Sequence, residues 1–149
     1  MCCSPMAIFK VLALLAGVWA VTAQNSSSLP ANCDRSTIVH LGETCNIISA
    51  YFNVSTYQLA AVNTGIIDPA CDNLAVGEPL CLGITGQDCN VTYIIQSGDD
   101  CETIAEGAGI PMSTLLANNP NVNLNCSNIY PEEVLCTAAQ IYVNSTVTE

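Results

Sequence analysis

The chain has 149 residues, with 2 basic side chains, 13 acidic ones and a formal charge of −11 at neutral pH. Such a balance repels phosphate backbones and anionic bilayers, which argues against nucleic acid and membrane surfaces as partners. Cysteine numbers 10 and histidine 1, with no C-x-x-C pair, so zinc-ligand spacing is absent and no metal or other cofactor is expected.

The chain opens with a signal-like segment, residues 1–23. Lys10 precedes the apolar run Val11 to Val21, and Thr22-Ala23-Gln24 follows. This order of a basic, an apolar and a small-residue region reads as a secretory signal peptide cleaved after Ala23. The apolar run is shorter than the roughly 20 residues that span a bilayer. Cleavage removes Cys2, Cys3 and Lys10, and leaves Arg35 as the single base against 13 acids, a formal charge of −12. The expectation is a secreted, extracellular protein. The polar end VNSTVTE does not suit a GPI signal.

The remaining cysteines are Cys33, Cys45, Cys71, Cys81, Cys89, Cys101, Cys126 and Cys136, spaced 12, 26, 10 and then 12, 25, 10. Two tandem copies of one unit explain this spacing. Ile38-Val39 aligns with Ile94-Ile95, Gly42-Glu43 with Gly98-Asp99, Leu59 with Leu115, Asn63 with Asn119 and Leu80 with Leu135. An even cysteine count in a short secreted chain reads as disulfides, and four cysteines in a unit leave three pairings open. A unit near 50 residues is about the size at which a core alone is marginal, so such staples are expected. The chain then divides into a polar N-terminal linker (24–34), unit one (35–83), a glycine-containing linker (84–90), unit two (91–138) and a polar tail (139–149). Asn25, Asn53, Asn90, Asn125 and Asn144 each begin an N-x-S/T sequon.

In unit one, Thr37 to Leu41 reads as a strand, with His40 a surface residue on it. Cys45 to Phe52 reads as a helix. Ser55 with Gln58 three residues on forms a capping box for a second helix, and Leu80-Cys81-Leu82 is a closing strand. In unit two, Tyr93 to Gln96 is a strand ended by Ser97-Gly98. Asp99 and Asp100 sit where a helix N-cap is wanted. Ile104, Ala105 and Ala108 form an apolar face closed near Gly109. Met112 to Asn118, facing the core with Leu115 and Leu116, is a second helix stopped by Asn119-Pro120. Val134 to Cys136 closes the unit. The order strand, helix, helix, strand predicts an α+β fold of two tandem βααβ units, each with antiparallel strands and both helices on one face. That pairing sets the loop after the first strand beside the loop before the second, as one edge suited to binding.

The stretch YIIQSGDDCETIAEGAGIPMSTLLANNPNVNLNCSNIYPEEVLC, Tyr93 to Cys136, resembles a LysM domain. That family's pattern is a Tyr-led strand, Gly-Asp-Thr, Ile-Ala, Leu-Leu-x-x-Asn-Pro, a Tyr-Pro-Gly turn and an apolar strand. Unit one is similar to a more divergent copy, and the two-unit arrangement behind a signal segment resembles the secreted fungal LysM effectors. The resemblance implies a lectin for N-acetylglucosamine oligomers, with chitin oligosaccharides and the fungal cell wall as partners. It places the sugar between the two loops. In unit one these are Gly42, Glu43, Thr44 and Cys45, with Gly65, Ile66, Ile67 and Asp68. In unit two they are Gly98, Asp99, Asp100 and Cys101, with Asn121, Val122, Asn123 and Leu124. Departures from the pattern are Asp100 for Thr, Glu43 for Asp, Thr37 for Tyr, Asn63-Thr64 for Asn-Pro and Glu132 for Gly.

The chemistry of these loops suits an uncharged ligand. Carboxylates accept sugar hydroxyls, loop backbone matches acetamides, and Ile66, Ile67, Val122 and Leu124 offer contacts to acetamide methyls. Two units on one chain can share an oligomer, or an oligomer can bridge two molecules. No catalytic residue is expected: Asp99 and Asp100 are adjacent rather than opposed across a cleft, G-x-S-x-G is missing and His40 stands alone. The alternatives are a peptidoglycan-binding or structural wall protein, and a secreted module that binds a protein.

Overall fold

A computed structural model describes residues 29–143. Unit one runs β1 (Cys33–Ile38), α1 (Cys45–Phe52), α2 (Thr56–Val62) and β2 (Pro79–Ile84). Unit two runs β3 (Thr92–Ile94), α3 (Cys101–Ala108), α4 (Met112–Asn118) and β4 (Val134–Cys136). β1 pairs antiparallel with β2, and β3 with β4, so each unit is a two-stranded sheet carrying two helices. This is the α+β architecture of two βααβ units expected from the cysteine repeat and the strand, helix, helix, strand order. Among the described residues no helix is long and apolar enough to cross a membrane.

The helices follow their local chemistry. Thr44 caps α1 by accepting the Ile47 N–H, and Asn53 ends it in the left-handed conformation. Asp100 caps α3 by accepting the Thr103 N–H, with a Thr103 hydroxyl contact completing a capping box, and Gly109 closes the helix at φ 67°. The expected box at Ser55 is only half present. Ser55 accepts the Gln58 N–H at 3.1 Å, but the Gln58 side chain does not return to the cap. It is drawn instead to the seam between the units. Ala108, expected on the apolar face of α3, is exposed, because the face that meets the core is carried by Cys101, Ile104 and Ala105.

Each unit has its own core. Val39, Ile48, Val54, Leu59, Leu80 and Leu82 pack in unit one, and Ile95, Ile104, Ala105, Ile110, Leu115 and Leu135 in unit two. Disulfides pair first with fourth and second with third cysteine in both units: Cys33–Cys81 and Cys45–Cys71, then Cys89–Cys136 and Cys101–Cys126. All four lie within a unit. The outer bond ties the sheet ends and the inner bond ties the two loops.

A buried asparagine completes each unit. Asn63, 1% exposed, donates to the carbonyls of Leu59 (2.7 Å) and Cys81 (2.6 Å) and accepts the Cys81 N–H (2.8 Å). Asn119, fully buried, does the same with Leu115, Cys136 and the Cys136 N–H, each at 2.8 Å. The amide thus clamps the end of the second helix to the closing strand.

The segments read as linkers and tail are more structured than their composition suggests. β1 begins at Cys33, inside the first of them, and β2 reaches Ile84, inside the second. Asp88 accepts two hydrogen bonds from Arg35, each 2.6 Å, and one from Gln58 Nε2 at 2.9 Å. The third Arg35 bond goes to the Phe52 carbonyl at 2.8 Å. Gln58 also donates to the Leu82 carbonyl and accepts the Cys89 N–H. Gly83 lies beneath this cluster, where a methyl group would overlap the Asp88 side chain. The C-terminal segment is held too, since Asn118 donates to the carbonyls of Ala138 and Gln140 and accepts the Tyr142 N–H.

The clamp and the seam can each be tested by stability measurements. Asn119→Ala removes one side chain and leaves a buried N–H and two carbonyls without partners. Chemical denaturation should register a loss of about 2–4 kcal/mol. The hydrogen bonds from Arg35 hold the Asp88 carboxyl below its ordinary value of 3.8. A depressed folded-state carboxyl stabilises above its ordinary value, and that stabilisation disappears as pH falls through the folded one. The stability gap between wild type and Asp88→Asn should therefore be constant from pH 7 to pH 5 and close below pH 3.8.

Candidate functional site

The two loops of unit one meet across the Cys45–Cys71 bond and form a groove. It has a volume of about 420 Å³ and is lined by Thr44, Cys45, Asn46, Thr56, Ala60, Ile67, Asp68, Pro69, Ala70 and Cys71. Thr44, Cys45, Ile67 and Asp68 of the expected set line this groove together, while Gly42, Glu43, Gly65 and Ile66 do not. Two further lining residues, Tyr130 and Glu132, come from unit two. The groove is therefore not confined to its own unit.

The second loop of each unit is shaped by an asparagine two positions after the third cysteine. Asn73 donates to the Ile66 carbonyl at 2.7 Å and accepts the Asp68 N–H at 3.0 Å. Asn128 donates to the Asn121 carbonyl at 2.8 Å and accepts the Asn123 N–H at 2.9 Å. Neither stands out in the sequence alone. Their equal offset from Cys71 and Cys126 is the signal that could have found them. Those two cysteines share a left-handed backbone, φ 53° and 55°, which turns both loops the same way.

Several expected contact residues are committed to this internal bracing. Glu43 accepts the His40 N–H at 2.7 Å, and Asp99 accepts the Gln96 N–H at 2.7 Å. The two acids thus close equivalent turns, at whose tips Gly42 and Gly98 take φ 86° and 94°. Asp99 also accepts the Tyr93 hydroxyl at 2.9 Å, and that bond raises the Tyr93 phenol. Asp68 is held below the usual carboxylate range by a hydrogen bond from the Asp72 side chain and by the N–H groups of Asp72, Cys71 and Ala70, while Asp72 is pushed up. Val122 is a core residue, and Ile67 is buried at the base of the groove, whereas Leu124 is 87% exposed. Asn53, Asn90 and Asn125 of the sequons are exposed, and Asn25 and Asn144 lie outside the described residues, as does the segment 1–23. His40 is a surface residue just past β1, 3.3 Å from the Glu43 carboxylate.

In unit two the expected residues separate. Asp99 borders a hollow of about 290 Å³ between Tyr93 and α3, where Gly107 and Ala108 stand at the positions of Tyr51 and Phe52. Asn121 turns toward unit one. It lines a cleft of about 250 Å³ with Asn128, Tyr130 and Glu133 on one side and Thr56, Tyr57, Ala60 and Pro69 on the other. The Val134 N–H donates to Thr56 Oγ1 at 3.0 Å across this seam. Glu133 is 2% exposed and accepts from the Asn121 amide at 2.7 Å. Burial pushes its carboxyl above the ordinary 4.5. Burial and the Glu133 carboxylate raise the Tyr130 phenol, and the Asn46 side chain of unit one, as a donor toward the phenol oxygen, opposes them.

Two βααβ units, each with a disulfide joining its two loops, carry a shallow groove between the loops of unit one and a cleft along the seam, an arrangement suited to binding rather than to a deep active site. The pattern of the LysM domain matches residues 38–83 and 93–137, and the chain belongs to the LysM domain family. LysM is a carbohydrate-binding domain and not a catalytic one. The chain is 28% identical over 131 residues to the secreted LysM effector LysM1 of Trichophyton rubrum, covering 72% of this chain and 52% of that protein. It is 31% identical over 109 residues to a secreted LysM effector of Pochonia chlamydosporia, covering 71% and 16%. It is 30% identical over 107 residues to a non-secreted LysM effector of Gibberella moniliformis, covering 70% and 14%. The chain thus spans about half or less of the length of these relatives.

The buried Glu133 provides a test of the seam. Its raised folded-state value means that the fold disfavours the ionised form. The site is most stable below the ordinary 4.5 and loses stability as pH rises through the folded value. Glu133→Gln should abolish this loss, so that the variant gains on wild type between pH 4.5 and 7 in thermal denaturation.

Proposed function

We propose that this protein is a secreted lectin of N-acetylglucosamine oligomers, a LysM effector that binds chitin fragments. The observation that carries the reading is the unit-one groove, where the inner disulfide fixes both loops and sets Thr44, Asn46 and Asp68 around an apolar base. Amides, hydroxyls and carboxylates supply donors and acceptors for sugar hydroxyls and acetamides, and Ile67 with Ala60 and Pro69 offers surface to acetamide methyls. An uncharged polymer meets no electrostatic penalty at a chain of formal charge −11.

The names of the fungal relatives support the effector role. On this reading the protein is exported through the segment 1–23 and captures chitin oligosaccharides before a host receptor does, or shields the fungal wall from chitinases. The domain division at 35–83 and 91–138 and the five sequons as glycan sites belong to the same proposal.

Calorimetry of the oxidised, secreted protein with chitohexaose, cellohexaose and a peptidoglycan fragment tests it. Heat with chitohexaose alone is expected, because only the acetamides distinguish it from cellohexaose. Equal heat with the peptidoglycan fragment would move the assignment to bacterial walls. No heat with any glycan would leave a scaffold for a protein partner.

A further inference from the structure

We infer that the two units form one continuous sugar site, to which unit two contributes Tyr130 and Glu132 as binding residues for the oligomer held by unit one. The inference rests on the sugar-binding reading above and specifies how the oligomer is held. Three observations carry it.

The first is the continuity of the cleft. The unit-one groove and the seam cleft share Thr56, Ala60, Pro69 and Tyr130, so one surface runs from the Thr44 loop past Tyr130 to Asn121 and Asn128 of unit two. A linear polymer fits such a path, and its far end meets a second loop of the kind that borders the groove at its near end.

The second is the backbone of Glu132. It takes φ 74°, and the equivalent position in unit one is Gly77 at φ 87°. A left-handed residue outside glycine, asparagine and aspartate is uncommon, and such outliers concentrate at functional sites. Here the residue lines the groove of the other unit. No cation among the described residues pairs with it, which leaves a carboxylate free to accept hydroxyl and acetamide hydrogens. Tyr130 beside it is 47% exposed and offers a ring to the apolar C–H face of a pyranose.

The third is that the seam is fastened. The Thr56–Val134 hydrogen bond and the Arg35–Asp88–Gln58 cluster set the junction, so Tyr130 and Glu132 are held in place before a ligand arrives.

Calorimetry of the full oxidised protein with chitohexaose, beside E132G and Y130A, tests the site. One oligomer per protein is expected for wild type. Each variant should bind about fivefold or more weakly, the scale of one lost charge-assisted hydrogen bond or stacking contact. The thermal midpoint of E132G should be unchanged or raised, since glycine accepts the left-handed backbone, and this separates lost binding from lost folding. A lowered midpoint in E132G would assign Glu132 to folding and overturn its role. Wild-type affinity in both variants, or two oligomers per protein, would overturn the shared site and leave the sugar reading standing. No binding to wild type would remove the sugar reading and this inference with it.

Discussion

The buried asparagine at the end of each second helix is the constraint on which the fold rests. β4 has only three residues, and three paired positions cannot fix a strand by themselves. Asn119 supplies what the short ladder lacks. Its amide bonds both backbone groups of Cys136 and a carbonyl of α4, so helix and strand share one side chain. Asn63 repeats the device with Cys81. Because the clamped residue is itself a disulfide cysteine, the hydrogen bonds and the covalent bond fix the same point. Everything N-terminal to that point, including the second loop, inherits its position.

The junction between the units is built from scarce material. Arg35 is the only base left outside the signal-like segment, and it is committed to Asp88 and a helix-end carbonyl rather than to a ligand. Its bidentate geometry gives direction as well as charge pairing. Gln58 leaves the reciprocal half of its capping box unmade because its amide meets three partners at the seam instead: the Leu82 carbonyl, the Asp88 carboxylate and the Cys89 N–H. A short run containing two glycines thereby becomes a fixed joint, with Gly83 required for the closeness of Asp88.

Bracing and binding divide the loops between them. Glu43 and Asp99 each commit one carboxylate oxygen, and Asn73 and Asn128 both ends of the amide, to closing turns. What they leave outward-facing is a set of surfaces of fixed shape. A shallow groove binds by having its groups in place in advance, since it encloses too little ligand to offset the entropy of ordering loops. The acids of these loops thus have a structural part, and Glu132, unpaired among the described residues and lining the groove, is the contrasting case.

The repeat, the disulfide-rich class, the βααβ order and the places where helices begin and end are all legible in the chain. These depend on local chemistry: cysteine spacing, Gly98 and Gly109 at turns, Asp100 at a cap, and leucines at helical intervals. They also carry enough pattern to resemble LysM over nearly all of the two units. Three features emerge only in three dimensions: the pairing of the cysteines, the lock that Gln58 and Asp88 place on the seam, and the approach of Tyr130 and Glu132 to the groove of the other unit. Asn46 and Glu132 lie far apart in the chain and in different repeats, and no spacing rule links them. Their meeting depends on how two independent cores pack against each other. That packing rests on a handful of polar contacts between residues far apart in the chain, such as Thr56 with Val134 and Arg35 with Asp88, which only the folded units bring together.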